Sequence, residues 1–158
     1  MKDIFLKLIL LISIIFTTSS GNLEATESKK NELRVMSFNI RLGVANDGEN
    51  RWDLRKELVV KTIREYNPDL LGLQEVFPMQ EEYLRENLPQ YFYYGRSRLV
   101  DPEDGEACSV MFKKDRFAVT EKTTFWLSET QSVPGSKSWD SSLPRISNMV
   151  KLTDKQAV

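Results

Sequence analysis

Histidine is missing from this 158-residue sequence altogether, and cysteine is reduced to a single residue, Cys108. The first absence removes the commonest general acid–base and a frequent metal ligand from whatever the chain does alone. The second excludes an intrachain disulfide framework. Neither sign of charge is in excess, since 22 Lys plus Arg stand against 23 Asp plus Glu for a net charge of −1. Bulk charge therefore gives no argument for nucleic-acid binding, although a locally basic cleft stays compatible with a neutral protein. Internal repeats and low-complexity tracts are also absent, and 41% hydrophobic with 28% charged residues is the composition of one ordinary globular domain.

The one long apolar run lies at the start. Lys2 precedes Ile4–Phe16, interrupted only by Lys7 and Ser13, and the small residues Thr17 to Gly21 follow. A charged start, a short apolar core and a small-residue exit read as a secretory signal peptide over residues 1–21. The run falls short of the roughly 18–20 residues a bilayer span needs, so the expectation is export to the periplasm or the extracellular space with no stable membrane span after cleavage. Residues 22–32, polar and without periodicity, read as a linker.

From Leu33 the texture is that of a folded domain, 33–158. Leu33 to Ile40 alternates and reads as a strand, and the Gly- and Asn-rich stretch 43–50 as a loop. Leu54, Leu58, Val59, Thr62, Ile63 and Tyr66 recur at helical spacing, with Asp53 or a neighbour as the cap and Asn67-Pro68 as the stop. Asp69 to Val76 is a near-continuous apolar run, expected in a strand buried on both faces. A shorter helix after Phe77-Pro78, running through Asn87, and strands at 91–95, 107–112, 119–126 and 146–152 complete an α/β layer, with a long loop over 127–144.

The chemistry is written at the ends of the first two core strands. One ends Ser37-Phe38-Asn39-Ile40 and the other Leu73-Gln74-Glu75-Val76. In α/β sheets ligands gather beyond the carboxyl ends of adjacent strands. An amide and a carboxylate delivered there suit a hard cation whose other ligands are water and phosphate oxygens.

The ordered set Val35-Met36-Ser37-Phe38-Asn39-Ile40-Arg41, Arg51-Trp52 with Arg55, Pro68 to Val76, and Gly105 to Phe112 resembles the endonuclease/exonuclease/phosphatase superfamily. Phe125 to Thr130, Pro134 to Asp140 and Leu143-Pro144-Arg145-Ile146 are similar to a branch of exported bacterial members. The resemblance implies a four-layer α/β/β/α sandwich of the deoxyribonuclease-like type, here truncated to roughly its first half. It implies hydrolysis of a phosphodiester or phosphomonoester assisted by Mg2+ or Mn2+, on a nucleic acid, a phospholipid head group or a small phosphorylated metabolite. By the same analogy Glu75 is the metal-binding carboxylate and Asn39 lies beside it, holding the metal's water shell or the phosphate. Glu106 is the carboxylate that orients a catalytic histidine, and Arg145 contacts the substrate phosphate.

One departure is plain. The family's other half supplies two histidines, a Gly-Asp-x-Asn motif and a terminal Asp-His pair, none of which this sequence contains. The expectation is a half-site, inactive as it stands. The alternative from a different class is a non-catalytic binding or interaction remnant of the same fold. Elsewhere the residues read as structural. Trp52 and Arg55 belong to packing at a helix entrance, Trp126 and Trp139 to core or rim, and Cys108 to a buried apolar strand. Lys113 to Arg116 reads as a solvated turn.

Overall fold

Strand β1 (Val35–Asn39) runs parallel to β2 (Leu70–Val76), with Val35 opposite Leu70 and Asn39 opposite Gln74. A parallel pair needs a crossover, here helix α1 (Trp52–Tyr66) preceded by a single 3-10 turn at Gly48–Asn50. A second helix, α2 (Pro78–Asn87), leads into β3 (Tyr91–Tyr94), and β4 (Ala107–Lys113) inserts antiparallel between β2 and β3. The order in this mixed sheet is β1-β2-β4-β3. A separate two-stranded sheet pairs β5 (Phe117–Trp126) with β6 (Ile146–Asp154). These come from a computed structural model that describes residues 32–157, so the expected leader over 1–21, and the linker over 22–32 except Glu32, lie outside the described residues. No helix among the described residues is long and apolar enough to cross a membrane.

The period-2 rule divides the mixed sheet into two faces. Leu71, Leu73, Tyr91, Tyr93 and Met111 point to the helices, where they bury against Trp52, Val59, Val60, Ile63, Leu84 and Leu88. Phe92 and Phe112 stack on the opposite face with ring centroids 4.9 Å apart, and Phe117 at the start of β5 meets Phe112 edge-on. On this same face the Tyr94 hydroxyl lies 2.9 Å from Thr124 of β5. Asn148 of β6 donates 2.5 Å to the Cys108 carbonyl of β4. The described residues thus form helices, a mixed sheet and a second, smaller sheet, in the layer sequence expected of the sandwich.

Several local expectations change. In α1 the buried residues are Trp52, Val59, Val60 and Ile63, whereas Leu54 and Leu58 are 57% and 63% exposed. Positions 52, 59, 60 and 63 share one face at 100° per residue, and Leu54 and Leu58 fall on the other. Asp53 does not cap α1. The cap position is Arg51, without a side-chain bond, and Asp53 sits in the first turn, where a negative charge suits the helix dipole. Asn67 ends the helix in the left-handed conformation, φ 51°. Strand β2 is buried only alternately, because its second face is half-covered. Cys108, read as a buried strand residue, points away from the helices and is only partly covered.

The supposed solvated turn 113–116 is a structural joint. Asp69, buried just before β2, accepts from Lys113 Nζ at 3.0 Å, from Arg116 Nη1 at 2.8 Å and from the Arg34 N–H at 2.9 Å. Arg116 in turn donates 2.9 Å to Asp154 at the end of β6. One buried guanidinium therefore ties the mixed sheet to the smaller one.

Candidate active site

The second core strand carries an irregularity at the residue expected to matter most. Between Leu73 and Val76 the β2–β4 register slips, three steps on β2 against two on β4. That is a bulge, and Glu75 within it adopts φ +61°, a left-handed conformation rare for a residue with a side chain. The bulge turns Glu75 out of the strand's alternation toward the end of β1. There its Oε1 accepts 2.9 Å from Asn39 Nδ2, and its Oε2 accepts 2.8 Å from the Leu42 N–H. The Asn39 Oδ1 accepts from the Arg41 N–H at 2.8 Å. The Asn39 amide first, then the Leu42 N–H, hold the Glu75 carboxyl below the usual carboxylate range, against the opposing effect of partial burial and with help from Arg41 and Arg55. At neutral pH it is an anion.

The loop after β1 is built to keep that geometry. Arg55 of α1 donates 2.8 Å to the Arg41 carbonyl and 2.8 Å to the Asn50 carbonyl, and its Nη1 donates to the Ile40 carbonyl. Gln80 of α2, fully buried, accepts from the Gly43 N–H at 3.0 Å and the Phe77 N–H at 2.9 Å, and donates 2.9 Å to the Arg41 carbonyl. Gly43 must be glycine here, because a Cβ would lie 2.7 Å from the Gln80 side chain. Arg41 is paired with Asp47 at 2.9 Å, which leaves the loop's cation on the solvent side.

Asn39 and Glu75 open onto a cleft of about 330 Å³ whose remaining walls include Glu106, Cys108, Arg98, Leu127 and Arg145. All four residues singled out from the sequence, Asn39, Glu75, Glu106 and Arg145, therefore share one cleft, although the first and last are 106 positions apart in the chain. Glu106 forms an ion pair with Arg98, whose side chain is 18% exposed. Arg145 is exposed, and no ion pair engages its guanidinium among the described residues. A larger hollow of about 740 Å³ beside α2 contains none of the four. Size does not decide between the two, since only the smaller brings a carboxylate, an amide and two arginines together at strand ends.

Gln80 and Arg98 escaped sequence reasoning. Gln80 had one faint signal, a Gln three residues after a helix-start position at Phe77, where it can return a bond to the cap N–H. Arg98 had none, since it stands in a stretch without periodicity.

The donor set accommodates a hard divalent cation. Magnesium is usually held by one or two carboxylates, with water and phosphate completing the shell, and an anionic Glu75 beside an amide is such a platform. Among the described residues no cluster of three or more acidic or thiol side chains is built to hold an ion by itself. Glu75 and Asn39 offer such a cation one carboxylate and one amide.

Fold and cleft together define an α/β layer with a carboxylate and an amide at the ends of adjacent strands. The model of the Endonuclease/Exonuclease/phosphatase family matches residues 36–141, and the chain belongs to that family. Among solved structures it is similar to an endonuclease/exonuclease/phosphatase from Bacteroides vulgatus, 34% identical with a TM-score of 0.76 over 79% of this chain and 48% of that one. It is equally similar to a mannosyl-6-phosphatase from Bacteroides thetaiotaomicron, 34% identical with a TM-score of 0.75 over 80% of this chain and 48% of that one. By sequence it also matches the CCR4-Not complex 3'-5'-exoribonuclease subunit Ccr4 of Mycosarcoma maydis, 27% identical over 117 residues, 62% of this chain and 18% of that one. The chain spans about half the length of the solved relatives it matches.

Proposed function

We propose that this chain forms the metal- and phosphate-binding side of a divalent-cation-dependent phosphoesterase. The observation that carries the reading is Glu75, turned by a bulge into a cleft and held there as an anion by Asn39 and the Leu42 N–H. Glu75 would hold Mg2+ or Mn2+, with Asn39 orienting the carboxylate and helping to fix the water or phosphate beside it. When bound, the cation supplies charge neutralisation at phosphate oxygens. The chain's own residues bind and position: Arg145, lining the same cleft, meets the phosphate, and the Arg55–Gln80 framework keeps the β1 loop from relaxing. A small phosphorylated sugar is the favoured substrate class, supported by the mannosyl-6-phosphatase relative.

What is absent from the sequence sets the limit on turnover. Preparing water for in-line attack calls for a base, and with no histidine the carboxylates of this cleft are committed, Glu75 to the cation and Glu106 to Arg98. The chain by itself binds cation and phosphate without sustained hydrolysis. Export is part of the proposal and rests on the leader-like pattern of residues 1–21.

The test is Mn2+ binding followed by electron paramagnetic resonance, alongside hydrolysis of a phosphorylated sugar and of a phosphodiester. The expected result is Mn2+ binding lost in Glu75→Ala, with negligible turnover by the unaltered chain. Metal-dependent turnover that disappears in Glu75→Ala would overturn the inactivity, and Mn2+ binding indifferent to that change would overturn the site.

A further inference from the structure

Arg98 sits in the cleft with its backbone fixed on three sides. Its N–H donates 3.2 Å to the Glu106 carbonyl, its own carbonyl accepts 2.7 Å from Trp126 Nε1, and the neighbouring Ser97 pairs with Ala107 in an isolated bridge. The Cα of Arg98 is thus held by the starts or ends of two strands, β4 and β5. The Arg98 side chain reaches Glu106 through Nη1, and its Nε is buried without any acceptor. A guanidinium carries five N–H donors in a planar fork, so most of this one's capacity is unused. A buried donor without a partner is costly and rare in native proteins, and asks for a reason.

We infer that Arg98 is a second substrate-contacting arginine of this cleft, receiving phosphate oxygens on its unused donors while Glu106 holds the guanidinium from the other side. The inference rests on the cleft being the phosphate-ester site proposed above. A structural ion pair alone would not require the pair to stand at the wall shared with Asn39, Glu75 and Arg145. The Cys108 thiol, pushed up mainly by burial, is sensitive to the charges of Glu106, Arg98 and Arg145 together, which places all three around one point of the cleft. Planar, two-oxygen recognition is what arginine does with phosphate and lysine does not. With Arg145 lining the same cleft, a phosphate there meets two cationic side chains. Glu106 then acts as a positioning residue, its charge keeping Arg98 at the wall in the absence of substrate.

The experiment titrates inorganic phosphate into the full chain in the presence of Mg2+ by calorimetry, for the unaltered protein, Arg98→Gln and Arg98→Lys, with Mn2+ binding measured on the same preparations. Expected are a weakening of phosphate binding by about tenfold or more in Arg98→Gln and a smaller, several-fold weakening in Arg98→Lys. Mn2+ affinity should stay within about twofold of the unaltered protein, because Arg98 does not touch Asn39 or Glu75. Should Arg98→Gln fail to fold, Arg98→Lys decides. It keeps the charge opposite Glu106, so a purely structural role leaves phosphate affinity unchanged, whereas phosphate contact lowers it. Unchanged phosphate affinity in the folded variants, or no phosphate binding by an unaltered chain that binds Mn2+, overturns the inference and leaves the cation site standing. Failure of the chain to bind Mn2+ overturns the site itself.

Discussion

A left-handed backbone at Glu75 is a cost carried by one residue. For a side-chain-bearing residue that conformation is unfavourable by roughly 1–2 kcal/mol, and strain of this kind persists where the surroundings over-determine it. Here the surroundings are the bulge, the Asn39 amide and the Leu42 N–H. Two substitutions separate strain from hydrogen bonding. Glu75→Ala and Glu75→Gly both remove the carboxylate and both should abolish Mn2+ binding, but only glycine tolerates φ +61° without strain. We expect Glu75→Gly to be more stable than Glu75→Ala by about 1 kcal/mol in urea denaturation. Equal stabilities would mean that the bulge relaxes once the carboxylate is gone. Asn39 offers a graded change at the same point: Asn39→Ala removes the largest influence holding Glu75 acidic, so its carboxyl titrates at higher pH. Mn2+ binding should then weaken by about tenfold, as expected for loss of a partner that orients a ligand. Measured across a pH series, the loss of Mn2+ binding on acidification should begin at higher pH in Asn39→Ala than in the unaltered chain.

At the scale of elements, strands and helices were legible because periodicity is a local property. The end of β2 and the stop at Asn67-Pro68 could be read from neighbouring residues alone. The buried face of α1 could not. Leu54 and Leu58 are as apolar as Val59 and Ile63, and only the sheet chooses between the stripes. Asn39 and Glu75 were visible as polar residues closing apolar strands. The Arg98–Glu106 pair was not, because it depends on the bridge that lays residue 97 against residue 107. Gln80 is the element-scale counterpart of Glu75, since α2 uses it to hold the loop that follows β1. Gln80→Leu keeps the volume roughly but strands the Gly43 and Phe77 N–H groups, while the Arg41 carbonyl keeps its bond from Arg55. At about 1 kcal/mol or more for each group left unpaired, a loss of roughly 2 kcal/mol is expected in urea denaturation. Mn2+ affinity should fall too, because the Leu42 N–H that binds Glu75 is next to the loosened Gly43. Lost stability with unchanged Mn2+ affinity would mean that the loop holds its shape by Arg55 alone.

At the scale of the whole molecule, what joins the mixed sheet to the smaller one is charge as well as packing. Asp69 lies on β2's threshold, Arg116 opens β5 and Asp154 closes β6, and the three form a chain of ion pairs at 2.8 and 2.9 Å. Burial alone would push the Asp69 carboxyl up. The Arg34 N–H, Lys113 and Arg116 outweigh it, and the folded value lies below the ordinary one. A carboxyl whose pKa is lower in the folded protein contributes stability that is fully present above the unfolded value, near ~3.9, and is lost as pH falls through the folded value. Asp69→Asn removes that contribution at any pH. At neutral pH it deprives the buried Arg116 of one carboxylate, and a loss of roughly 3 kcal/mol is the expected size for breaking a buried pair from one side. As pH falls below about 4 the unfolded chain takes up a proton at residue 69 first, so the gap between the two proteins begins to narrow there and closes as pH falls through the lower folded value. Asp47 and Glu75, away from the joint, titrate in the same way in both proteins and drop out of the difference, whereas Asp154 keeps its bond to Arg116 in both and adds its own loss in acid. Urea denaturation of both proteins from pH 7 down to pH 3 is the measurement. A gap that stays constant across that range would assign the defect to packing around residue 69, and a gap that closes on acidification would assign the joint between the sheets to the charge on Asp69.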